Sequence, residues 1–283
     1  MPRELPSFDL VVATVGRSEE LGRFFDSLAP QEVPALRVLL VDQNDDDRLD
    51  AVFAGRDLDV VRLRSAPGLS RARNAALAHL AADLVAFPDD DCVYPPGLLR
   101  RVAERFADDD ALDGLTGRAV DASGRSAPSW KPDAARLVDG DLWNRAISFT
   151  IFLRRAVVGR VGPFDERLGL GSGEPWSSGE EIDYLVRAVR LGARIEYDPT
   201  LVVEHDIREN DSQIGLRDGA SVGYLLRKHR YPARTVGRML VRPVGGAALS
   251  LVRLDRAGAS YRLATLRGRL RGYLGASRSK ISA

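Results

Sequence analysis

Leu84-Val85-Ala86-Phe87-Pro88-Asp89-Asp90-Asp91 is the stretch whose reading decides the fold. Four apolar residues read as a short buried strand, a proline stops it, and three carboxylates follow at its end. Acidic triplets are ordinary in solvated loops, and Asp45-Asp46-Asp47 and Asp108-Asp109-Asp110 have the same composition. Only 89–91 follows directly on an apolar strand, so only there are three repelling charges set at the end of a sheet. Upstream, Phe8–Thr14, Leu36–Val41 and Leu58–Leu63 read as further strands, and Ser18–Leu28 and Leu69–Ala82 read as helices. In the first helix Leu21, Phe24, Phe25 and Leu28 fall at i, i+3, i+4 and i+7. Strands alternating with helices at this spacing imply parallel pairing and a doubly wound α/β sheet.

Downstream of Asp91, a helix is expected to about Ala107, a strand over Leu112–Val120, and a polar loop over Asp121–Asp141. Ile147–Val157 reads as β-rich. A Gly-rich passage leads into a helix ending near Leu191, two short strands lie between Ala193 and His205, and Ser212–Lys228 is helical. The chain from Pro232 has helical stretches with Arg among Leu, Val and Tyr.

Ligands of such sheets bind beyond the carboxyl ends of the strands, and three ends here carry polar groups: Thr14-Val15-Gly16-Arg17, Asp42-Gln43-Asn44 and the 89–91 triplet. Carboxylates at i and i+2 of a turn can face one hard cation, Mn2+ or Mg2+, and such an ion neutralises a diphosphate. Asp42 is either a turn residue or an acceptor for the imide N–H of a uracil- or guanine-type base. Gly68-Leu69-Ser70-Arg71-Ala72-Arg73-Asn74 is either a routine helix start or an anion site. Two arginines in a first turn oppose the helix dipole and suit a diphosphate. Glu180, Glu181 and Asp183 open a helix, where acids complement the dipole. They follow Trp176 and Gly179 in a flexible segment, which would give a sugar a stacking surface and a base for its hydroxyl. His205, at a strand end, is structural or a ligand.

The chain has 283 residues, of which 45% are hydrophobic and 29% charged, a globular profile. One cysteine, Cys92, excludes an internal disulfide and fits a reducing compartment. With no leader and no apolar span long enough for a bilayer, the expected location is cytoplasmic. The net charge of +1 hides a polarity. From Arg227 onward there are 14 Lys and Arg against one acid, Asp255, a net +13, while the rest holds 27 bases and 39 acids, a net −12. A basic end attracts nucleic acid, anionic lipid or an acidic partner. No nucleic-acid motif is present, and Arg interleaved with Leu and Val favours the inner face of a membrane. The plainer alternative is packing on the acidic part of the chain or on a second copy.

Taken in order, VVATVGR, LLVDQN, GLSRARN, VAFPDDDC, FDERLGLGSGEPWSSGEEIDY and DPTLVVEHD resemble a family 2 glycosyltransferase over roughly residues 8–210. The resemblance implies a GT-A fold: a doubly wound mixed sheet with flanking helices, here followed by a basic helical extension. It implies a catalytic domain over 1–230, nucleotide-binding to about 120 and acceptor-binding beyond, with 231–283 as the extension. It assigns Asp42 to the base, and Thr14, Val15, Arg17, Asn44, Gly68, Arg71, Arg73, Asn74, Asp89 and Asp90 to the nucleotide pocket. Asp89, Asp91 and His205 are assigned to a metal, a mixed shell that favours Mn2+ over Mg2+. Trp176 and Gly179 fall to the acceptor, and Glu181 to the base of an inverting transfer, with Glu180 or Asp183 as alternatives. The partners implied are a nucleotide-sugar donor, a UDP-sugar favoured, and a glycan or lipid-linked acceptor. The rivals are another α/β nucleotide enzyme, such as a nucleotidyltransferase, and a binding module that uses the basic end. No G-x-G-x-x-G follows the first strand and no P-loop is present.

Overall fold

The computed structural model describes residues 4–53, 55–206 and 211–276, so the last residues of the basic extension, 277–283, lie outside the described residues. In chain order the elements are β1 (Phe8–Thr14), α1 (Glu19–Asp26), β2 (Leu36–Asp42), α2 (Asp50–Phe53), β3 (Asp59–Arg64), α3 (Leu69–Leu77), β4 (Leu84–Ala86) and α4 (Leu98–Asp108). There follow β5 (Gly114–Val120), β6 (Ala135–Arg136), β7 (Ile151–Arg154), α5 (Arg155–Val161), α6 (Glu180–Arg190), β8 (Ile195–Glu204), α7 (Ser212–Lys228), α8 (Ala233–Val252) and α9 (Arg256–Gly275). Contacts divide the chain into two compact units. One gathers Met1–Pro67, Arg71–Phe164 and Tyr184–Ile207, and the other gathers Gly68–Ser70, Asp165–Asp183 and Arg208–Ala283.

The first unit is built on one sheet in the order β3-β2-β1-β4-β7-β5-β8-β6. β3, β2, β1 and β4 run parallel; β7 is antiparallel to both β4 and β5, and β5 and β8 are again parallel. The continuous apolar runs of β1, β2 and β4 are buried on both faces, as a helix-covered sheet requires. Their side chains join Leu21, Phe24 and Phe25 of α1 and Leu98, Leu99, Val102 and Phe106 of α4 in the core.

Three expectations differ from the observed elements for local reasons. α3 ends at Leu77 rather than near Ala82 because the buried Asp9 carboxylate accepts hydrogen bonds from Ala81 N (2.7 Å) and Ala82 N (2.9 Å), turning the chain into β4. The β-rich stretch to Val157 stops as strand at Arg154, and Val157, Val158 and Val161 are buried from the short helix α5 instead. The two short strands expected before His205 are one strand, β8, interrupted rather than ended. Its pairing with β5 shifts between Thr116 and Arg118, around Pro199, which has no N–H to give the ladder.

In the second unit α7 and α9 meet through glycine. A Cβ built on Gly223 would sit 2.0 Å from Arg269 O, and one on Gly272 would sit 1.9 Å from Ala220 O. Both clashes are with backbone, which no rotamer change relieves. Gly272→Val is therefore expected to cost roughly 1–3 kcal/mol, read as a lower urea midpoint at unchanged slope. An unchanged midpoint would mean the helices do not pack this closely.

Candidate active site

Two isolated bridges carry the first unit's polar residues to one place. Ala13 pairs in parallel with Asp89, setting the end of β1 beside the triplet, and Val93 pairs with Glu204, setting the end of β8 on its other side. Asp89, Asp91 and His205 consequently offer one donor atom each within 4.8 Å of one another. His205 Nδ1 lies 2.8 Å from the Asp206 backbone carbonyl, an acceptor only. In the neutral ring Nδ1 therefore holds the hydrogen and Nε2 presents its lone pair, the tautomer of a metal-ligating histidine. Nε2 is buried and has no aligned hydrogen-bond partner, although Asp91 Oδ1 is 3.1 Å away. The His205 ring stacks on Phe149 at 4.6 Å and 4°, a contact that favours this ring plane. Two hard oxygens and one imidazole nitrogen, a buried Nε2 without an aligned hydrogen bond, fit a divalent ion of the Mn2+ class.

The charges around this cluster are partly balanced. Arg17 Nη1 donates to Asp90 Oδ1 at 2.9 Å and also to Asp91 Oδ2. Burial pushes the Asp90 carboxyl up to about 6, against the pull of the Thr14 hydroxyl and Arg17. Burial also acts to raise Asp91, but His205 and Arg17 hold it down to about 2. For His205, burial lowers the imidazole pKa, but Asp91 outweighs it and the net shift is upward. A proton and a cation thus compete for Nε2, and the raised pKa means that the proton is held over more of the neutral range. Mn2+ affinity should therefore fall as pH drops through the imidazole pKa, with one proton released per ion. Calorimetry in two buffers of different ionisation enthalpy measures this; no proton release would contradict the assignment of His205.

The ends of β1 and β2 are joined. Gly16, at φ +73 where a side chain would be strained, turns its N–H to Asn44 Oδ1 at 2.7 Å. Val15 beside it is exposed. Asp42, expected to take a base N–H directly, is fully buried with its acceptor sites filled. Oδ1 accepts from Asn44 N and Nδ2 (2.9 and 2.8 Å), and Oδ2 accepts from Arg62 Nε and Nη2 (2.9 and 2.6 Å), with Arg64 Nη1 at 3.2 Å. Of the α3 residues, Arg73 is 1% exposed, reaching Asp89 Oδ1 at 3.4 Å and lying over the Phe87 and Phe164 rings. It balances Asp89 and does not face open solvent. Asn74 is clamped to the Phe164 backbone from both amide atoms (3.0 and 2.7 Å). Arg71 is exposed, its Nη1 on Pro67 O.

The second unit holds the other candidates. Ser70 Oγ donates to Leu168 O (2.7 Å), and Leu69 N donates to Leu170 O (2.8 Å), so the buried Gly68 lies against the Gly-rich segment. Gly179, at φ +82, packs near Leu225. Trp176, expected to offer a surface to a sugar, is 5% exposed. Tyr224 stacks on it at 4.7 Å, and the Arg167 guanidinium and Gly275 also lie against its ring. Its hydrophobic area completes the core of this unit instead. Burial also separates the three acids of α6. Asp183 is fully buried, 2.7 Å from Lys228 Nζ and 2.8 Å from His229 Nε2; Glu180 is buried, and Glu181 is half-buried. Asp183 is thus engaged in an internal ion pair, whereas Glu181 is the more accessible of the two.

Four neighbours carried too weak a signal to be singled out. Ser148 Oγ donates to Asp89 Oδ1 (3.1 Å) beside the stacking Phe149, and both were hidden in an apolar run. Arg62 and Arg64, the partners of Asp42, alternate along β3, and that period of two placed them on one face.

The chain matches the family described as Glycosyl transferase family 2 over residues 9–159. It is 27% identical over 253 residues to a pre-mycofactocin glycosyltransferase of Mycobacterium tuberculosis, covering 82% of this chain and 50% of that protein. The chain thus spans about half the length of the curated relatives it matches. Among solved structures it is similar to the mannosyltransferase PcManGT from Pyrobaculum calidifontis in complex with GDP-Man and Mn2+, with a TM-score of 0.67, 15% identity, and coverage of 96% of this chain and 90% of that one. It is also similar to residues 1–349 of S. aureus TarS in complex with UDP-GlcNAc, with a TM-score of 0.57, 18% identity, and coverage of 94% and 91%. These likenesses identify the mixed sheet as a GT-A fold, and the match across more than half its length shows that the chain belongs to glycosyl transferase family 2.

Proposed function

We propose that this chain is an inverting, metal-dependent glycosyltransferase that moves a sugar from a nucleotide-diphosphate donor, a UDP-sugar favoured, to an acceptor hydroxyl. The acceptor is a glycan or lipid-linked glycan of cell-surface assembly. The observation that carries this reading is the Asp89, Asp91 and His205 cluster at the sheet's carboxyl end, in which the buried Nε2 lies 3.1 Å from Asp91 Oδ1 without an aligned hydrogen bond. These three residues would hold a divalent cation, which would supply positive charge to the leaving diphosphate.

The protein's own residues do the rest. Arg17, partly exposed beside Asp90 and Asp91, adds a second positive charge where the diphosphate leaves. Glu181 takes the proton from the acceptor hydroxyl. That oxygen attacks the anomeric carbon from the face opposite the diphosphate, the new C–O bond forms as the bond to the phosphate oxygen breaks, and no sugar–enzyme bond intervenes. With the Asp42 carboxylate saturated, a uracil imide N–H reaches it by replacing the Asn44 amide donor on Oδ1. The relatives solved with GDP-Man and with UDP-GlcNAc support a nucleotide-sugar donor.

Incubating the protein with a panel of UDP- and GDP-sugars and Mn2+ should give slow donor hydrolysis that releases the nucleoside diphosphate, and chelation should stop it. Pyrophosphate release from a nucleoside triphosphate and a sugar phosphate would instead establish a nucleotidyltransferase.

A further inference from the structure

The α8–α9 hairpin presents its apolar residues at its turn, where a protein made for water alone would place polar ones. Leu251, Val252 and Leu254 are 57%, 81% and 88% exposed. From Pro243 to Val252 the last turns of α8 contain no charged residue. One face of that segment, through Pro243, Ala247 and Ser250, is buried. The exposed Val244, Leu249, Leu251 and Val252 therefore form a second apolar surface that the hairpin does not cover. Among the described residues, no helix is long and apolar enough to cross a membrane.

The turn itself is a Schellman closure. Asp255 N donates to Ser250 O (2.9 Å) and Leu254 N donates to Leu251 O (3.0 Å), with Leu254 itself at φ +59. That position belongs to glycine or asparagine, yet it holds leucine, in a strained conformation with its side chain almost fully in solvent. Strain that places an apolar group outward is explained by an apolar medium outside.

Charge identifies the medium. Arg253 and Arg256 flank Leu254 and are exposed, and Arg234, Arg238 and Arg242 lie further along α8. The one acid of the hairpin, Asp255, is occupied as the cap of α9, accepting from Gly258 N at 2.8 Å. Arginines collaring an apolar tip can lay their stems along acyl chains and their guanidinium groups on phosphate. A protein partner would require no such uniform sign.

We infer that Leu251, Val252 and Leu254 form a tip that inserts into the surface of an anionic lipid bilayer, with Arg253 and Arg256 on the headgroups. The inference stands on the hairpin and is independent of the transfer reaction. It is tested by flotation of the full chain with vesicles of phosphatidylcholine alone, and of phosphatidylcholine with about one-third phosphatidylserine. The parent chain should float with the anionic vesicles only. The variant L251S/V252S/L254N should lose at least about tenfold in bound fraction with no loss of Tm, because asparagine suits the left-handed position. Equal flotation of parent and variant overturns the inference, as does a parent that ignores anionic vesicles. Self-association by light scattering that the variant abolishes, without vesicle binding, would assign the tip to a second copy of the chain and likewise overturn it.

Discussion

Asp91→Ala is expected to reduce metal-dependent sugar transfer by about 10²–10³-fold, while Asp109→Ala leaves it unchanged. Both residues are the third or second member of an acidic triplet, so composition does not separate them. Their surroundings do. Asp91 faces Asp89 and the buried Nε2 of His205, and Arg17 and His205 hold its carboxyl down to about 2. It is therefore ionised throughout the working range and ready to bind a cation without first losing a proton. Removing it takes away one of the three proposed ligands and frees Arg17 from a partner it shares with Asp90. The cation site is weakened, and Arg17 keeps its charge but is positioned by Asp90 without Asp91. Asp109 accepts from Ala111 N (3.0 Å) and Arg194 (2.8 Å) at the surface. An exposed pair of that kind is worth about 0–1 kcal/mol and touches nothing in the site. The measurement is nucleoside diphosphate release against Mn2+ concentration for both variants. An Asp91→Ala protein with the parent's Mn2+ dependence would show that the cluster does not hold the ion.

What could be read from the sequence follows from how local each cause is. β1 and β2 were legible almost to the residue because a strand buried on both faces is a continuous apolar run, here bounded by polar residues at its carboxyl end. The end of α3 was not, because Asp9, some seventy residues away, takes the Ala81 and Ala82 N–H groups and draws the chain beyond the helix toward β4. The same distinction runs through the candidate site. Asp89, Asp91 and His205 each sit at a strand end, a position that periodicity marks, and the sheet then brings strand ends together. The packing partners of those residues carry no such mark. Ser148 and Phe149 come from a short turn within an apolar run, and Trp176 looked available for a ligand because neither Tyr224 nor Gly275 is near it in sequence. Burial of the acids in α6 was equally hidden, since it depends on Lys228 and His229 at the far end of α7.

That last contact separates two neighbouring carboxylates experimentally. Asp183→Ala is expected to destabilise the protein by about 3–5 kcal/mol, because it removes one partner of a buried ionic cluster and leaves the other behind. Asp183 is fully buried. Lys228 Nζ reaches it at 2.7 Å and would keep Asp165, also at 2.7 Å, while the His229 ring would lose the acceptor it meets at 2.8 Å. A chain of this size should then melt roughly 10 °C lower, and it should lose activity only in proportion to the fraction unfolded. Asp183→Asn, which keeps the shape and a hydrogen-bonding oxygen but not the charge, should fall between. Glu181→Gln should behave in the opposite way. Its side chain is half-buried at the start of α6, so the melting temperature should stay close to the parent's, with kcat reduced by about 10²–10⁴-fold and donor affinity unchanged. Calorimetric melting and steady-state kinetics on the same three variants resolve the question. A stable but inactive Asp183→Ala protein would move the base to Asp183, because a carboxylate that only holds α6 to α7 cannot be removed without loosening them.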